Sequence, residues 1–363
     1  MVGEQAIDAG LLSRRVLLAS TRFAFWVSCL LAIWQPVGDA TEPTELPMAH
    51  DEYVYMIRFS PDGQTMVTAA GDNVARIWNW STRQLLHTLA HDAAVYAAEV
   101  SPAGGHLATG SGDGNVTLWK LSTGTQVAQQ KEHADAVYCV NFSPDGTHLA
   151  SIGGDGEKGD TKCRIWSVPA LTIVRELPGH ERPSYGVLFG PPVGPARNTL
   201  VTSGGDKLIH IYSLPVGKRK TWTGHTSDVY RCCFSPDGDH LATTSQDGSV
   251  RLWNVATGKL VRTLLQVKDP TYDVAYSRDG GLLAAVGDDG FVRIWETRTY
   301  TLLTESKTDK EGLYSVVFAP DRTHVITGGV RGVLHSCPVP HVATTDPATQ
   351  RQVEQDSPDA TRR

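Results

Sequence analysis

The feature that most constrains this chain is a unit of about 42 residues that occurs seven times. Residues 229–254 are its clearest copy, with a short apolar segment, a tight turn and two further short segments. The last residue of the first segment, here called the anchor residue, recurs every 41 to 47 residues. The anchor residues are Phe59, Val100, Phe142, Phe189, Phe234, Tyr276 and Phe318. Seven copies predict a repeat architecture instead of the two domains that 363 residues would otherwise suggest.

The turns within each unit predict β-hairpins. Ser-Pro-Asp-Gly follows the anchor residue at 60–63, 143–146 and 235–238, and looser versions follow the other anchors. Proline presets the turn and glycine supplies a positive φ, so short apolar segments on either side of such a turn indicate paired strands.

Four further residue types recur at fixed places in the units. A histidine lies nine residues before five of the anchor residues, and an aspartate follows six of them. Relative to this aspartate position, a hydroxyl residue lies four residues earlier and an aromatic residue lies six residues later. Complete sets occur in unit 1 (His50, Thr68, Asp72, Trp78), unit 2 (His91, Thr109, Asp113, Trp119) and unit 5 (His225, Thr243, Asp247, Trp253).

These residues resemble the WD40-repeat family, over residues 42–337. Gly-His occurs at 179–180 and 224–225, and Trp-Asn or Trp-Lys replaces the Trp-Asp pair of the family name. The resemblance implies an all-β fold, a seven-bladed β-propeller in which each blade is a four-stranded antiparallel sheet around a central channel.

In that family the histidine, hydroxyl, aspartate and tryptophan of a blade form a buried hydrogen-bond chain, since each group is costly to bury alone. Unit 3 is complete if Asp160, after an insertion, replaces Asp155, and unit 4 has Tyr212 in place of tryptophan. Unit 6 has Val267 and Ala285 in the histidine and hydroxyl positions, and unit 7 has Arg331 and Cys337 in the aspartate and tryptophan positions. Repetition of the set favours a structural role over a hydrolase triad.

The sequence divides into three parts: residues 1–40, the propeller at 41–337 and a polar C-terminal tail at 338–363, predicted to be disordered. The first part has arginines, an apolar run at 23–34 and small residues before a cleavage site after Ala40. This pattern is typical of a secretory signal peptide and predicts export to the periplasm or the extracellular space. An uncleaved membrane anchor through residues 16–34 is the alternative.

The mature N-terminus is expected to complete the propeller. Residues 44–50 (TELPMAH) resemble residues 175–180 (RELPGH), the outer strand leading into unit 4. We therefore expect the N-terminal strand to become the outer strand of the seventh blade, which leaves no unpaired edge.

Several function classes find no support in the sequence. There is no phosphate-binding loop and no hydrolase or metalloprotease motif, so the prediction is a non-enzymatic protein without cofactor or metal. The net charge of −6 argues against nucleic acid, and Lys218, Arg219 and Lys220 fit an outer strand. The cysteines show no disulfide or zinc spacing. A calcium site on Asp155, Glu157 and Asp160 is a weaker alternative to a solvated loop.

One recurring residue is not required by the fold. A tyrosine lies four residues before every anchor residue: Tyr55, Tyr96, Tyr138, Tyr185, Tyr230, Tyr272 and Tyr314. On the innermost strands these side chains would surround the mouth of the channel, where they suit the binding of a protein or peptide. Strand packing is the alternative explanation. The predicted function is a monomeric scaffold for an unidentified partner. The alternative is a propeller enzyme, or a small-ligand or metal-binding protein, that acts at the channel mouth or the blade 3 loop.

Overall fold

A computed structural model describes residues 42–154, 159–215 and 217–340, and all regular secondary structure in these residues is β-strand. In chain order the strands are β1 (Thr44–Ala49), β2 (Val54–Phe59), β3 (Thr65–Ala70), β4 (Val74–Asn79), β5 (Leu85–Ala90), β6 (Val95–Val100), β7 (His106–Ser111), β8 (Val116–Lys120), β9 (Thr125–Gln130), β10 (Val137–Phe142), β11 (His148–Gly153), β12 (Cys163–Ser167), β13 (Ile173–Leu177), β14 (Ser184–Phe189), β15 (Thr199–Gly204), β16 (Ile209–Ser213), β17 (Lys218–Trp222), β18 (Val229–Phe234), β19 (His240–Ser245), β20 (Ser249–Asn254), β21 (Leu260–Gln266), β22 (Thr271–Tyr276), β23 (Leu282–Gly287), β24 (Phe291–Glu296), β25 (Thr301–Lys307), β26 (Leu313–Phe318), β27 (His324–Gly329) and β28 (Val333–Pro338).

The strands form seven antiparallel sheets of four strands each. Blades 1 to 6 each contain four consecutive strands, from β2–β5 to β22–β25, while blade 7 has the order β1-β28-β27-β26. The predicted fold, a seven-bladed β-propeller, is therefore confirmed.

The turn after each anchor residue fixes the first hairpin of its blade. In blade 5 the Ser235 hydroxyl accepts the His240 amide at 2.9 Å and donates to Asp237 at 2.5 Å. Gly238 has φ +74°, and its amide donates to the Ser235 carbonyl at 2.9 Å. A residue with a side chain would be strained at this φ, which explains the glycine in the repeated turn.

The hydrophobic core lies between blades. One cluster joins Val67 and Ile77 of blade 1 to Leu107 and Trp119 of blade 2, and similar clusters lie at the other blade interfaces. Because apolar side chains are buried at seven separate interfaces, the centre of the propeller is left for the channel.

The N-terminal strand β1 closes the ring. It pairs with β28, with Thr44 opposite Ser336 and Ala49 opposite Val333. Met48 on β1 is 1% exposed and packs in one cluster with Trp78 of blade 1. This is the arrangement that the resemblance between residues 44–50 and 175–180 predicted. Likewise, β17, with its three basic residues, is the outer strand of blade 4.

Some predictions fall on residues that the structure does not describe. These are the signal peptide or anchor in residues 1–40, Asp155 and Glu157 of the blade 3 insertion, and residues 341–363 of the C-terminal tail. Residues 42–154, 159–215 and 217–340 include no helix long and apolar enough to cross a membrane.

Candidate functional site

The seven repeated tyrosines form a closed ring, here called the tyrosine ring: Tyr55, Tyr96, Tyr138, Tyr185, Tyr230, Tyr272 and Tyr314. Neighbouring aromatic centroids are 4.8–5.7 Å apart all the way round, and neighbouring ring planes are inclined by 42–66°. Both ranges are typical of favourable aromatic pairs. All seven side chains are half-buried, so the ring keeps surface available for contact.

The size of the tyrosine ring limits what can enter it. A regular heptagon with sides of 4.8–5.7 Å has a radius of about 6 Å, which places opposite aromatic centroids about 12 Å apart. The thickness of the aromatic rings narrows this gap further. An α-helix with its side chains is about 10–12 Å wide. The opening therefore admits a side chain or an extended segment but excludes a helix.

A β-bulge places each tyrosine of the ring. In blade 1, Val54 pairs with Ala70 and Met56 with Ala69, so Tyr55 is an extra residue with no partner on β3. The register shifts in the same way at Tyr96, Tyr138, Tyr185, Tyr272 and Tyr314, and in blade 5 Tyr230 and Arg231 together oppose Thr244. A bulge redirects the side chain of its extra residue. The seven bulges thus direct seven equivalent phenol side chains into one ring.

Three carboxylates and an eighth tyrosine border the tyrosine ring, and none of them was predicted. The Tyr185 hydroxyl donates to Asp228 at 3.3 Å, and the Tyr272 hydroxyl donates to Asp288 at 3.4 Å. Glu52 lies close enough to act electrostatically on Tyr55. Tyr53, which is 39% exposed, packs against both Tyr55 and Tyr314 with centroid distances of 6.1 Å.

Five phenols of the tyrosine ring are held in the neutral form. Burial, reinforced by the carboxylates of Asp228 and Asp288, raises the pKa of Tyr230 to about 12. Burial also raises the pKa of Tyr55, Tyr185, Tyr272 and Tyr314, again with neighbouring carboxylates or phenols adding to the effect. At physiological pH these hydroxyls therefore remain hydrogen-bond donors, and the negative charge beside the ring comes from carboxylates.

The inner strands also surround a cavity of about 220 Å³ in the channel, lined in part by Arg58, Glu99, Arg231 and Asp273. The Arg58 Nε donates to Glu99 at 2.9 Å, and Asp273 accepts the Val316 amide at 3.0 Å. Burial raises the pKa of Glu99 against the opposing effect of Arg58. The Arg231 guanidinium donates to the carbonyls of Tyr138 and Tyr185, each at 3.3 Å.

These charged cavity residues were missed by the sequence analysis. They lie one or three residues before an anchor residue, positions that face the channel but vary in type between units. The spacing of these residues did indicate that they face the channel together, because residues two apart on a strand share a face. The cavity lining thus differs from blade to blade, whereas the tyrosine ring is the same in all seven.

The predicted hydrogen-bond chain is present in blades 1 and 5. In blade 1 the His50 Nε2 lies 2.6 Å from the Thr68 hydroxyl, its Nδ1 lies 3.0 Å from Asp72, and the Trp78 indole donates to Thr68 at 2.9 Å. In blade 5 His225 lies 2.8 Å from Thr243 and 3.0 Å from Asp247, and Trp253 donates to Thr243 at 2.9 Å. Each set links two neighbouring strands, the turn between them and the loop that precedes the inner strand, which is a structural role.

Blade 2 departs from the prediction at Asp113. His91 and Trp119 do bond to Thr109, at 2.8 and 2.9 Å, but His91 Nδ1 lies 3.0 Å from the Leu89 carbonyl instead of the aspartate. The Asp113 carboxylate accepts from Ser111 at 2.6 Å and from the Asn115 side chain at 2.5 Å. The prediction that all four residues form one chain was therefore wrong in this blade.

Blade 2 also lacks an arginine that four other blades share and that the sequence analysis missed. Four residues after the aspartate position lies Arg76, Arg164, Arg251 or Arg293, and each pairs with its aspartate, at nitrogen–oxygen distances of 2.8, 2.7, 3.7 and 2.7 Å respectively. Blade 2 has Thr117 at this position. The Asp113 carboxylate accepts from the hydroxyl and amide donors of its own turn, whereas Asp206 of blade 4, which also has no arginine partner among the described residues, contacts its histidine.

In blade 3 the arginine is part of the chain. His133 Nε2 lies 2.7 Å from Ser151, and Trp166 donates to Ser151 at 2.8 Å. Arg164 donates to His133 Nδ1 at 3.0 Å and pairs with Asp160. Asp160 thus joins the set through the guanidinium instead of through the histidine.

Blade 7 contains the histidine–aspartate pair with the two residues exchanged. Asp309 lies nine residues before the anchor residue, where other blades have histidine, and His335 lies at the arginine position. His335 Nε2 is 3.0 Å from Asp309, and both side chains are buried. In blade 4, His180 lies 2.8 Å from both Thr202 and Asp206, but the Tyr212 hydroxyl donates to the Pro178 carbonyl.

Comparisons with known proteins agree with this geometry. The family model "WD domain, G-beta repeat" matches residues 43–79, 83–120, 124–167, 217–254 and 258–296, which together make up more than half of the chain. Each range begins with the outer strand of one blade and ends with the third strand of the next, which is blade 1, 2, 3, 5 or 6.

Three relatives illustrate the range of similar proteins. The chain is 30% identical over 118 residues to the coronin-like protein of Saccharomyces cerevisiae, 31% over 101 residues to periodic tryptophan protein 2 of Arabidopsis thaliana, and 33% over 107 residues to coronin-7 of Homo sapiens. The matches cover 28, 28 and 27% of this chain but only 18, 11 and 11% of the relatives. The similarity therefore extends to the repeats and not to the whole relatives.

The environment of His133 predicts acid sensitivity. Burial, together with the charge of Arg164, lowers the pKa of His133 to about 4. The unfolded chain takes up this proton near the ordinary pKa of about 6.5. Stability should therefore fall as the pH decreases from 6.5 towards 4, by about 2–3 kcal/mol at pH 4.5 from this residue alone.

Urea unfolding at pH 7 and pH 4.5 tests this expectation. The His133→Asn variant should be less stable at pH 7 but should lose about 2–3 kcal/mol less than wild type on acidification. The His87→Gln variant, which changes a half-buried histidine on β5, serves as the control. If acidification lowers the free energy of unfolding equally in His133→Asn and His87→Gln, His133 accepts a proton in the folded state as readily as in the unfolded one.

Proposed function

Since the chain belongs to the WD40-repeat family, we propose that it is a non-enzymatic scaffold that binds a protein partner through the tyrosine ring. WD40-repeat proteins generally bind protein partners. The observation that carries the proposal for this particular surface is the closed ring of seven half-buried phenols, each placed by a β-bulge. Strand packing alone accounts for a tyrosine in one blade but gives no reason for the same residue at seven bulges.

The chemistry of the tyrosine ring suits a protein contact. Tyrosine offers a large apolar area, loses little side-chain entropy on binding and keeps a polar hydroxyl, which is why it is common at the centres of protein interfaces. The rings already pack against one another, with centroids 4.8–5.7 Å apart. A partner therefore meets a preformed surface and does not have to order it.

The charges beside the tyrosine ring favour a basic partner. Glu52, Asp228 and Asp288 lie against its phenols, and cations are attracted to aromatic faces as well as to carboxylates. In the cavity, the charges of Arg58 and Arg231 are balanced by Glu99 and Asp273, so the cavity offers a cation no net negative charge. Together with the width of the opening, these features indicate a lysine or arginine side chain on a loop or extended segment, held at the level of the ring.

A catalytic function has weaker support. The histidines and aspartates of the blades are engaged in the structural sets described above, and the cavity pairs Arg58 with Glu99 and satisfies Asp273 with Ser315 and Val316. No arrangement of a nucleophile and a general base is evident in residues 42–154, 159–215 and 217–340. The small-ligand alternative, predicted for the channel mouth or the blade 3 loop, has a candidate volume in the channel cavity.

A test of the basic partner uses two labelled peptides, a short oligo-lysine and an oligo-glutamate of equal length. Fluorescence anisotropy should show that the full-length protein binds the oligo-lysine more tightly and that added salt weakens this binding. The Asp228→Asn/Asp288→Asn variant should bind oligo-lysine roughly tenfold more weakly, because it removes two carboxylates beside the ring.

The matched control is Tyr300→Ala, which removes a tyrosine outside the ring and should leave binding unchanged. Equal binding of the two peptides would contradict the basic partner while leaving the ring itself as a possible contact surface. Oligo-lysine binding that is equally strong in the aspartate variant would place the cation site elsewhere on the protein.

We also propose that the protein is exported, on the strength of the three-part pattern in residues 1–40. N-terminal sequencing of the protein recovered from the cell exterior or periplasm should begin at Thr41. A chain recovered only from membranes, with residues 1–40 intact, would instead support the anchor through residues 16–34.

A further inference from the structure

Blade 4 differs from blades 1, 3, 5 and 6 in the charge that faces its aspartate. In blades 1, 3, 5 and 6 an arginine four residues after the aspartate pairs with it. Blade 4 has His210 at this position. Arginine is always charged, whereas an ordinary histidine is largely neutral at pH 7. Within the described ranges, Asp206 forms no ion pair with a lysine or arginine, so this blade lacks the fixed cation of its neighbours.

The side chains around Asp206 bring metal-binding groups together. His180 Nδ1 lies 2.8 Å from Asp206, and the imidazole of His210 stacks on that of His180 with a centroid distance of 4.2 Å and an interplanar angle of 17°. One donor atom from each of the three residues lies within 4.8 Å of the others. His180 and His210 are 4% and 3% exposed, so both imidazoles are held in place by their surroundings.

Thr202 can support His180 in the role of a ligand. In blades 1, 2 and 5 the indole of a tryptophan donates to the hydroxyl that contacts the histidine. In blade 4 the Tyr212 hydroxyl donates to Pro178 instead, so no indole occupies Thr202. The Thr202 hydroxyl oxygen can accept the proton of His180 Nε2, 2.8 Å away, and in that tautomer the lone pair lies on Nδ1.

A hydrogen bond to a threonine hydroxyl also holds the imidazole of His210. Its Nδ1 lies 3.1 Å from the Thr221 hydroxyl, which leaves Nε2 for a ligand role. Metal-ligating histidines usually bond through their second nitrogen to an oxygen in this way, which fixes the tautomer and the orientation of the ring. Both histidines of blade 4 therefore have the outer hydrogen bond that a metal site needs.

We propose that His180, Asp206 and His210 form a binding site for a divalent transition metal, with Zn²⁺ as the expected ion. Two imidazole nitrogens and one carboxylate oxygen are a common zinc donor set, whereas Mg²⁺ and Ca²⁺ prefer oxygen ligands. Zn²⁺–ligand bonds of about 2.0–2.2 Å require the donor atoms to move together by about an ångström, and water completes the coordination. The bound ion replaces the positive charge that arginine supplies in blades 1, 3, 5 and 6.

The test compares wild-type protein without an affinity tag with the His210→Arg variant. This substitution introduces the residue present in blades 1, 3, 5 and 6, so the variant should fold. Isothermal titration calorimetry with Zn²⁺ should give one site per wild-type chain and at least tenfold weaker binding in the variant. Co²⁺ should produce the visible absorption of a four-coordinate site in the wild type alone.

A second variant separates this site from adventitious binding to surface histidines. His87→Gln should retain the affinity and the Co²⁺ spectrum of the wild type. The proposal is overturned if His210→Arg binds Zn²⁺ as tightly as the wild type, or if the wild type binds neither ion at one site per chain. Should His210→Arg prove unstable, Asp206→Asn provides the same comparison, because it removes the charged ligand.

Discussion

The pairing of β1 with β28 is the interaction on which the rest of the structure depends. It completes the seventh blade and so closes the circle of inner strands. Once the circle is closed, any position shared by the seven units becomes a ring of side chains around one axis. The tyrosine ring is the clearest result, because its last contact, between Tyr314 and Tyr55, joins blade 7 to blade 1 with a centroid distance of 5.7 Å.

The same repetition separates structural residues from functional ones. The histidine–hydroxyl–tryptophan contacts hold the strands of individual blades, and blades 4, 6 and 7 replace several of these residues while keeping four strands each. The tyrosines show no such variation, although the residues beneath them in the channel range from Arg58 to Val317. A side chain retained at seven bulges while its neighbours vary is more readily explained by a contact made by the whole ring than by packing within one blade.

The sequence was sufficient to predict the strands, the turns and the closure by the N-terminal strand, since these follow from spacing and turn chemistry. It did not reveal the bulges, because an extra residue such as Tyr55 is defined only by the pairing of Val54 and Met56 with another strand. The contact of the Asp113 carboxylate with Ser111 instead of His91 was also hidden, since both arrangements fit the same residue spacing. The exchange of Asp309 and His335 in blade 7 became visible only when the two were seen to lie 3.0 Å apart.

The most direct test of the role of the tyrosine ring is a capture experiment with full-length protein as bait, using material from the compartment in which the protein resides. Wild type is compared with the Tyr96→Ala/Tyr138→Ala/Tyr230→Ala variant and with Tyr300→Ala, all assayed well below their melting temperatures. We expect one partner to be retained by wild type and by Tyr300→Ala and lost from the triple variant. Retention of that partner by all three proteins would contradict the assignment of the tyrosine ring as the binding surface.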